Sequence, residues 1–161
     1  NPKSPDNVGS VLRAAANYRV NDVFYTGNRY PRALERSART VDMSRKIGRE
    51  IPLSQLNCLI DAVKDDTKIV CIEFAVNASP LPEYQHPDNA FYIFGPEDGS
   101  IDQEIIDRAD AVVYVPTVGS MNLSATVNVV LYDRLVKEAN YQTGNDFIKQ
   151  SRDTNNRLKV I

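Results

Sequence analysis

The sequence has few of the residues that build metal centres and nucleophilic triads. His86 is the only histidine, and the two cysteines, Cys58 and Cys71, lack the C-x-x-C spacing of a metal or redox pair. A zinc site and a serine–histidine hydrolase are therefore disfavoured, and we expect no metal. Both cysteines lie among apolar residues, which predicts reduced core thiols in a cytoplasmic protein.

Long apolar runs and glycine-rich phosphate loops are also missing. No hydrophobic stretch approaches the roughly 18 residues needed to cross a membrane, so we expect no membrane span. None of the 7 glycines forms a G-x-G-x-x-G triplet, which argues against a Rossmann-type methyltransferase or dehydrogenase. The loop glycines lie late in the chain instead, at Gly95, Gly99 and Gly119.

Strand and helix patterns alternate along the chain, which predicts an α/β fold with an open, mostly parallel sheet and helices on both faces. Residues 68–74 form an apolar run typical of a central strand buried on both faces. Residues 54–65 show helical spacing of apolar residues and predict a capped amphipathic helix. A helix capped by Asp6 or Asn7 is expected to end near Tyr18. The other predicted strands are 22–26, 89–94 and 112–115, and the other helices are 32–38, 101–109 and 120–139.

The most informative stretch is 111–133, AVVYVPTVGSMNLSATVNVVLYD. A β-branched run ends at Pro116, which cannot donate an N–H to a sheet ladder. After a very short turn, apolar residues recur at helix spacing, and Ser120 can cap that helix. Such a strand–loop–helix joint leaves backbone donors free to hold a small ligand, although an ordinary βα unit shows the same pattern.

Two further stretches change the interpretation of this one: NPKSPDNVGSVLRAAANY at 1–18 and FYIFGPEDGSI at 91–101. In order, the three resemble the motifs of the SpoU/TrmH family of RNA ribose methyltransferases, which belong to the knotted SPOUT class. The first resembles N-x-G-x-x-x-R-A, the second F-G-P-E-x-x-G with one residue fewer before Gly99, and the third P…S-L-N-x-S…L-Y-E. The matching residues are Asn7, Gly9, Arg13 and Ala14, then 94–97 and Gly99, and then Pro116, Ser120, Met121, Asn122, Ser124, Leu131, Tyr132 and Asp133.

The resemblance implies a SPOUT-type methyltransferase domain over residues 1–140, a polar tail over 141–161 and a C-terminal trefoil knot. Knots are rare, so this one is implied by the resemblance alone. The family has a further strand before the first motif, and we expect that strand to be missing at the N-terminus of this sequence. The family is typically homodimeric, and the helix after Ser120 is expected to contribute to the interface.

The resemblance also implies S-adenosylmethionine as the methyl donor, held by main-chain groups near Ile72, Gly95, Val115, Ser120 and Met121. Strand ends followed by glycine or proline turns leave N–H and C=O groups unpaired and let a ligand approach closely. Plain core packing is the alternative role of Ile72 and Val115. An in-line methyl transfer needs aligned reacting groups and requires no metal.

Arg13 is the residue to which the resemblance assigns activation of the ribose 2′-hydroxyl. A guanidinium stays protonated at ordinary pH and is a poor general base. Arg13 therefore either accepts the proton with help from the local field, or fixes a phosphate and stabilises the forming alkoxide while another group takes the proton. The second version fits the chemistry better. Glu97 would position Arg13 or the first-motif loop. Asn7 and Asn122 would shape that loop, and Ser120 would contact cofactor or nucleotide. A structural ion pair for Arg13 and simple helix caps for Asn7 and Ser120 are the alternatives.

Charge is nearly balanced overall but uneven along the chain. The net charge of −2 argues against a protein that coats nucleic acid through bulk positive charge, yet residues 29–50 hold seven basic and three acidic side chains. Such a block is commonly a solvated face. Because it follows the helix of Arg13, we predict that it faces RNA, with contacts from Arg29, Arg32, Arg36 and Arg39.

The resemblance to this family implies methyl transfer from S-adenosylmethionine to a ribose 2′-hydroxyl of tRNA or rRNA. A SPOUT relative that methylates a base nitrogen is one alternative, although the arginine of the first motif belongs to the ribose-modifying branch. An RNA- or cofactor-binding module without catalysis is another. The loop between Pro116 and Ser120, which is shorter than in common family members, keeps that alternative open.

Overall fold

The computed structural model describes residues 1–36 and 51–160. In chain order, the described elements are α1 (Pro5–Asn17), β1 (Val23–Thr26), α2 (Arg29–Arg36), β2 (Leu53–Leu56), a 3₁₀ turn (Leu59–Ala62), β3 (Lys68–Ile72), β4 (Ser79–Pro80), a 3₁₀ turn (Leu81–Glu83), β5 (Ala90–Phe94), α3 (Gln103–Ile106), β6 (Ala111–Tyr114), α4 (Leu123–Glu138) and α5 (Asn145–Ser151).

The described strands are all parallel, but they form two sheets. β1 pairs with β2, and a four-stranded sheet has the order β4–β6–β3–β5. β3 lies between β5 and β6, as its apolar sequence predicts. Phe24 of β1 stacks on Phe91 of β5 with ring centroids 5.8 Å apart, so the small sheet adjoins that edge of the larger one. The predicted parallel α/β fold is confirmed, while the single sheet is replaced by two neighbouring ones.

The larger sheet is covered on both faces, as predicted. Alternation along β3 places Val70 and Ile72 on one face, where they pack with Val130 of α4. Ile69 and Cys71 pack on the other face with the 59–62 turn and the α3 segment. A strand that buries both faces needs apolar residues at every position, which explains the continuous apolar run.

Both cysteines are free thiols of the core. Cys71 is fully buried, and Cys58 packs against the same apolar cluster. Burial first, and the nearby Glu73 carboxylate second, raise the pKa of the Cys71 thiol to about 11. Cys71 therefore stays protonated and packs as a small apolar side chain.

The contact between α1 and α4 brings the first and third motif stretches together. Ala14 of α1 is buried against Val127 and Leu131 of α4. On its other side, α1 packs Val8 and Leu12 against the small sheet. The short alanine side chain lets the two helices approach closely, and the first residues of both helices then lie near the ends of the sheet strands.

The helix predicted over residues 54–65 is wrong. This segment forms β2 and then the 59–62 turn. Leu53 packs in the apolar cluster beneath α1, and its backbone lies opposite Val23 in the parallel ladder. Gln55 donates from Nε2 to the carbonyl oxygen of Gly27 at 3.0 Å. Pairing with a strand about thirty positions away therefore overrides the local helical spacing, which still identifies Ile60 correctly as buried.

Several element boundaries also differ from the sequence predictions. α1 begins at Pro5 and is capped by Ser4, whose Oγ accepts from the Asn7 N–H at 3.3 Å, in place of Asp6 or Asn7. α4 begins at Leu123 and is capped by Asn122 in place of Ser120. The predicted 101–109 helix is a single turn at Gln103–Ile106, and the predicted 68–74 strand ends at Ile72.

A half-buried polar network fastens the proline-rich 80–88 segment to α4. The His86 side chain is 1% exposed, with Nδ1 at 2.6 Å from the Tyr92 hydroxyl and Nε2 at 2.8 Å from Asp133 Oδ2. Lys137 lies 2.7 Å from the same Asp133 oxygen, and Arg134 donates to the Tyr92 hydroxyl at 3.1 Å. Burial, helped by Lys137 and Arg134, lowers the pKa of His86 despite the opposing carboxylate. A neutral imidazole satisfies every partner when Nε2 donates to Asp133 and Nδ1 accepts from Tyr92.

Within residues 1–36 and 51–160, no helix is both long and apolar enough to cross a membrane. The longest described helix is α4, with 16 residues. The tail carries α5, and the side chains of residues 141–160 are exposed apart from the half-buried Arg152.

Candidate active site

A pocket opens where three neighbouring parallel strands end. β3, β5 and β6 end at Ile72, Phe94 and Tyr114, and the loops that follow line the pocket together with the start of α4. The carboxyl ends of parallel strands are where open α/β sheets bind their ligands. The lining includes all five residues that the sequence analysis assigned to the cofactor, namely Ile72, Gly95, Val115, Ser120 and Met121. The structure brings these residues together, and their role in binding stays a prediction.

Glu97 connects the second motif to the N-terminal loop. It lines the pocket, and its side chain is 15% exposed. Its carboxylate accepts hydrogen bonds from the Lys3 N–H at 3.2 Å, the Ser4 N–H at 3.3 Å and Asn7 Nδ2 at 3.2 Å. Arg29 Nη2 lies 3.6 Å from Oε2. Glu97 thus contacts the first-motif loop, which is one of the two partners expected for it.

The donors around Glu97 favour its ionised form. Burial raises the pKa of a carboxyl group, but hydrogen bonds from the Glu97 backbone, the Asn7 side chain and the backbone of Lys3 and Ser4 outweigh it. The pKa of Glu97 is therefore lowered from its ordinary value of 4.5. At neutral pH, the pocket has a fixed negative charge on this wall.

Asn122 joins the third motif to the same group of side chains. Its Oδ1 accepts from the Ser124 N–H at 2.9 Å and so caps α4, while its Nδ2 donates to Asn7 Oδ1 at 3.0 Å. Asn7 in turn donates to Glu97. One side chain from each motif therefore belongs to a continuous hydrogen-bonded chain, which we call the Asn122–Asn7–Glu97 chain. Asn7 is a link in this chain and not the cap of α1.

Arg13 lies on α1 and is exposed. It forms no hydrogen bond or ion pair with the described residues, and Glu97 does not contact it. Arg13 follows Asn7 by six helical positions, which separates them by roughly 9 Å along the axis and about 120° around it. That rotation explains why Asn7 joins the hydrogen-bonded chain and Arg13 does not. The catalytic role of Arg13 stays a prediction. No described partner occupies its guanidinium, so the group is available for that role.

Comparison with known proteins identifies the family. The sequence model of the SpoU rRNA Methylase family matches residues 1–132, which is most of the chain. The chain belongs to the SpoU rRNA methylase family. A comparison with curated protein sequences finds no match. The match contains the first two motifs and the third except for its last residue, Asp133, so the family expected from the sequence is confirmed.

Solved structures with the same fold include other SpoU proteins. The TrmH/SpoU tRNA modifying enzyme of A. aeolicus superposes with a TM-score of 0.69 at 16% identity, over 86% of this chain and 72% of that one. A structure concerned with 2-OH methylation of C/U34 on tRNA gives 0.70 at 19% identity, over 87% and 93%. The SpoU methyltransferase AviRb from Streptomyces viridochromogenes, in complex with AdoMet, gives 0.68 at 16% identity. This chain spans 56% of the AviRb chain, and 88% of this chain is covered. At these identities the likeness establishes the SpoU fold.

The arginines predicted to face RNA differ in their surroundings in this SpoU family member. Arg29 donates from Nη1 to both oxygens of Asp98, at 2.8 and 3.0 Å, and from Nε to the carbonyl oxygen of Asn1. Arg32 is exposed on α2, and Arg36 is the last residue of that helix. Arg39 lies outside the described residues. Arg29 therefore has an intramolecular carboxylate partner, whereas Arg32 presents an exposed cation.

Two pocket residues that directly follow β3 are not among the site residues predicted from the sequence. Glu73 and Phe74 line the pocket beside Ile72, and Phe74 is 51% exposed with its ring tilted against Tyr114 at 5.8 Å. The strand prediction extended to residue 74 and so assigned these two side chains to the core. The rule that ligands bind beyond the carboxyl ends of parallel strands would have found them, given the correct strand end.

No metal-binding group is formed by the described part of this SpoU family member. In those ranges, histidine, cysteine, aspartate and glutamate side chains do not gather in threes around a possible metal position. The charged side chains at the pocket are carboxylates held by hydrogen bonds to nitrogen donors.

Proposed function

We propose that this protein transfers a methyl group from S-adenosylmethionine to a ribose 2′-hydroxyl of tRNA or rRNA. The observation that carries the proposal is the Asn122–Asn7–Glu97 chain, which joins one residue of each motif beside the strand-end pocket. The AdoMet complex of AviRb and the tRNA 2-OH methylation structure support it, since both share this fold.

The chemistry of the pocket suits S-adenosylmethionine. Ile72, Met121 and Leu123 offer apolar surface for a nucleoside, and Gly95 leaves its backbone accessible. The cofactor bears a sulfonium and an ammonium group, and the pocket lining contains Glu73 and Glu97. When bound, the cofactor supplies an electrophilic methyl group. The pocket residues hold and orient it, because an in-line displacement depends on alignment.

Arg13 is the proposed electrostatic stabiliser of the attacking oxygen. An arginine guanidinium keeps its charge at ordinary pH, so it favours the oxyanion that forms as the 2′-hydroxyl gives its proton to another group, and it can hold a neighbouring phosphate. Its lack of an ion pair with the described residues leaves its donors available to RNA. Glu97 and Asn7 fix the first turn of the helix that carries Arg13.

We also propose that RNA lies along α2 and that two copies of the chain associate through α4. The exposed Arg32 supports the first contact. The exposed apolar side chains Tyr132 and Val136, 59% and 46% accessible, support the second. The trefoil knot expected from the family would involve the loops after β5 and β6, which both line the pocket.

Transfer of a labelled methyl group from S-adenosylmethionine to total tRNA and to rRNA tests the proposal. Ribose 2′-O-methylation protects the following phosphodiester bond from alkali, because the internal nucleophile is blocked. We therefore expect label in alkali-resistant dinucleotides. Label in mononucleotides would indicate base methylation instead, and cofactor binding without transfer would indicate an inactive module. Arg13→Ala is the variant that tests Arg13 in this assay. Its matched control is Arg108→Ala, which removes an exposed arginine far along the chain from Arg13.

The contact with RNA has its own test. The charge reversals Arg32→Glu and Arg36→Glu, combined, should weaken RNA binding and leave affinity for S-adenosylhomocysteine unchanged. The loss should shrink as salt rises, because phosphate contacts act through counterion release. Unchanged RNA affinity in a filter-binding titration would show that α2 is an ordinary solvent-exposed helix that does not bind RNA.

A further inference from the structure

Glu73 connects the end of β3 to the loop that follows the neighbouring strand β5. It directly follows β3, and its Oε1 accepts from the Phe74 N–H at 3.0 Å. Its Oε2 accepts from the Ile101 N–H at 3.1 Å. Ile101 ends the loop that begins at Gly95 after β5, the neighbour of β3 in the sheet. One half-buried carboxylate therefore holds the Ile101 end of that loop against the end of β3.

Gly95 shows how tightly this junction is packed. A Cβ atom at Gly95 would lie 3.0 Å from Glu73 Oε2 and 3.6 Å from both Cγ1 and the backbone nitrogen of Ile101. The closest of these distances is shorter than ordinary van der Waals contact. Gly95 therefore lacks a side chain for a reason besides ligand access: the Glu73 carboxylate occupies that space.

The partners of Glu73 are backbone amides. It forms no ion pair with the described residues, and it lines the pocket together with Gly95. Water at the pocket wall competes for the hydrogen bonds of this carboxylate. Its two bonds to backbone amides are charge-assisted, and they fix its position. The 95–101 loop also carries Glu97, the acceptor of the N-terminal donors.

We propose that Glu73 is a positioning residue that holds the 95–101 loop in the conformation that binds the cofactor. The identity of the ligand rests on the proposed function. Glu73 acts through the Ile101 amide and through its contact with Gly95. Loss of the carboxylate frees one wall of the pocket and shifts Glu97 away from its partners.

Two measurements test this proposal on Glu73→Ala and Glu73→Gln, with Glu83→Gln as the control because Glu83 is an exposed glutamate. The first is hydrogen exchange at the Ile101 amide in the free protein, followed by NMR. We expect faster exchange in Glu73→Ala and partial protection in Glu73→Gln, whose amide oxygen can still accept one hydrogen bond. A merely space-filling role would leave exchange at Ile101 the same in Glu73→Gln and wild type.

The second measurement is calorimetric binding of S-adenosylhomocysteine. Glu73→Ala should bind roughly tenfold or more weakly, because hydrogen bonds to charged groups are among the stronger ones. In methyl transfer, the KM for the cofactor should rise more than kcat falls. Wild-type affinity in Glu73→Ala, with unchanged Ile101 exchange, would overturn the proposal. Failure of the wild type itself to bind would count against the proposed function, while the exchange result would still decide the role of Glu73.

A double-variant cycle makes the contact with Gly95 testable. Gly95→Ala should weaken binding in the wild-type background, because its methyl group displaces the Glu73 carboxylate. In the Glu73→Ala background that methyl group has space, so the added loss should be smaller. Losses that simply add would show that the two residues act separately and would overturn the link. The cycle stays informative if Glu73→Ala is unstable, because Glu73→Ser, which also vacates the space beside Gly95, can replace it with the same expected direction.

Discussion

Replacement of Glu97 by glutamine should weaken both the fold and the site. The carboxylate accepts from the backbone of Lys3 and Ser4 and from the side chain of Asn7, and it lies 3.6 Å from an Arg29 nitrogen. Glutamine has the same size, but it has no charge, and one of its two terminal atoms can only donate. Turning that amide nitrogen toward these donors leaves at least one of them without an acceptor.

The magnitude follows from the geometry. Hydrogen bonds to a charged group contribute about 1.5–3 kcal/mol, and a donor left unsatisfied costs about 1–3 kcal/mol. The bonds to Glu97 are 3.2–3.4 Å long, at the upper end of the normal range, and Lys3 is exposed. We therefore expect Glu97→Gln to lower the free energy of unfolding by about 1–2 kcal/mol, toward the bottom of those ranges.

Urea unfolding at two pH values measures this effect, with Glu83→Gln as the exposed control. The folded pKa of Glu97 is lowered from 4.5, so its contribution is fully present above 4.5. It is lost as pH falls through the folded pKa, where the wild-type carboxyl becomes neutral as well. The difference between wild type and Glu97→Gln should therefore be largest near neutral pH and shrink in acid. Equal stability at neutral pH, or a difference that persists unchanged in acid, would refute this account of the Glu97 contacts.

Three further predictions concern other parts of the molecule. Arg13→Ala should preserve the unfolding midpoint and the affinity for S-adenosylhomocysteine, while methyl transfer falls by roughly a hundredfold or more. Arg13→Lys should be nearly as inactive if the planar guanidinium fork is needed. Full activity in Arg13→Ala would place the catalytic centre elsewhere. Asn122→Ala should cost about 1 kcal/mol of stability through the lost α4 cap, and Asn122→Ser should restore the cap but not methyl transfer, because serine cannot also reach Asn7. The pKa of His86 is lower in the folded chain than in the unfolded chain, so the unfolded chain binds the proton at a higher pH. Thermal stability should therefore fall as pH drops below 6.5. His86→Gln should flatten that slope, and an unchanged slope would exclude His86 as its source.

Several features could be predicted from the sequence because they depend on local chemistry. The β-branched runs at 68–72 and 111–114 are strands, since neither pattern has a competing helical spacing. The spacing of Val127, Val130 and Leu131 correctly predicts the buried face of α4. The five expected cofactor residues share one pocket because they lie at or after the ends of β3, β5 and β6, and these neighbouring parallel strands end at one edge of the sheet.

Helix starts were less predictable because several capping residues compete within a few positions. Ser4, Asp6 and Asn7 can each cap α1, as Ser120 and Asn122 can each cap α4. Proline at residue 5 favours a start there, since the first helical position needs no N–H. For α4, Asn122 is the cap that also reaches Asn7, a residue on another helix. The choice therefore depends on a tertiary contact that no local pattern contains.

By itself, the sequence determined the α/β class, the order of the motifs, the family and the five cofactor residues expected at the pocket. These depend on residue type and spacing along short stretches. Only the tertiary structure decided which donors surround Glu97, since Lys3 and Ser4 lie more than ninety positions away. It also decided that residues 53–56 form a strand and that Glu73 holds the Ile101 amide. Such contacts join residues far apart in the chain, and their geometry is set by how α1, α4 and the strand ends pack together.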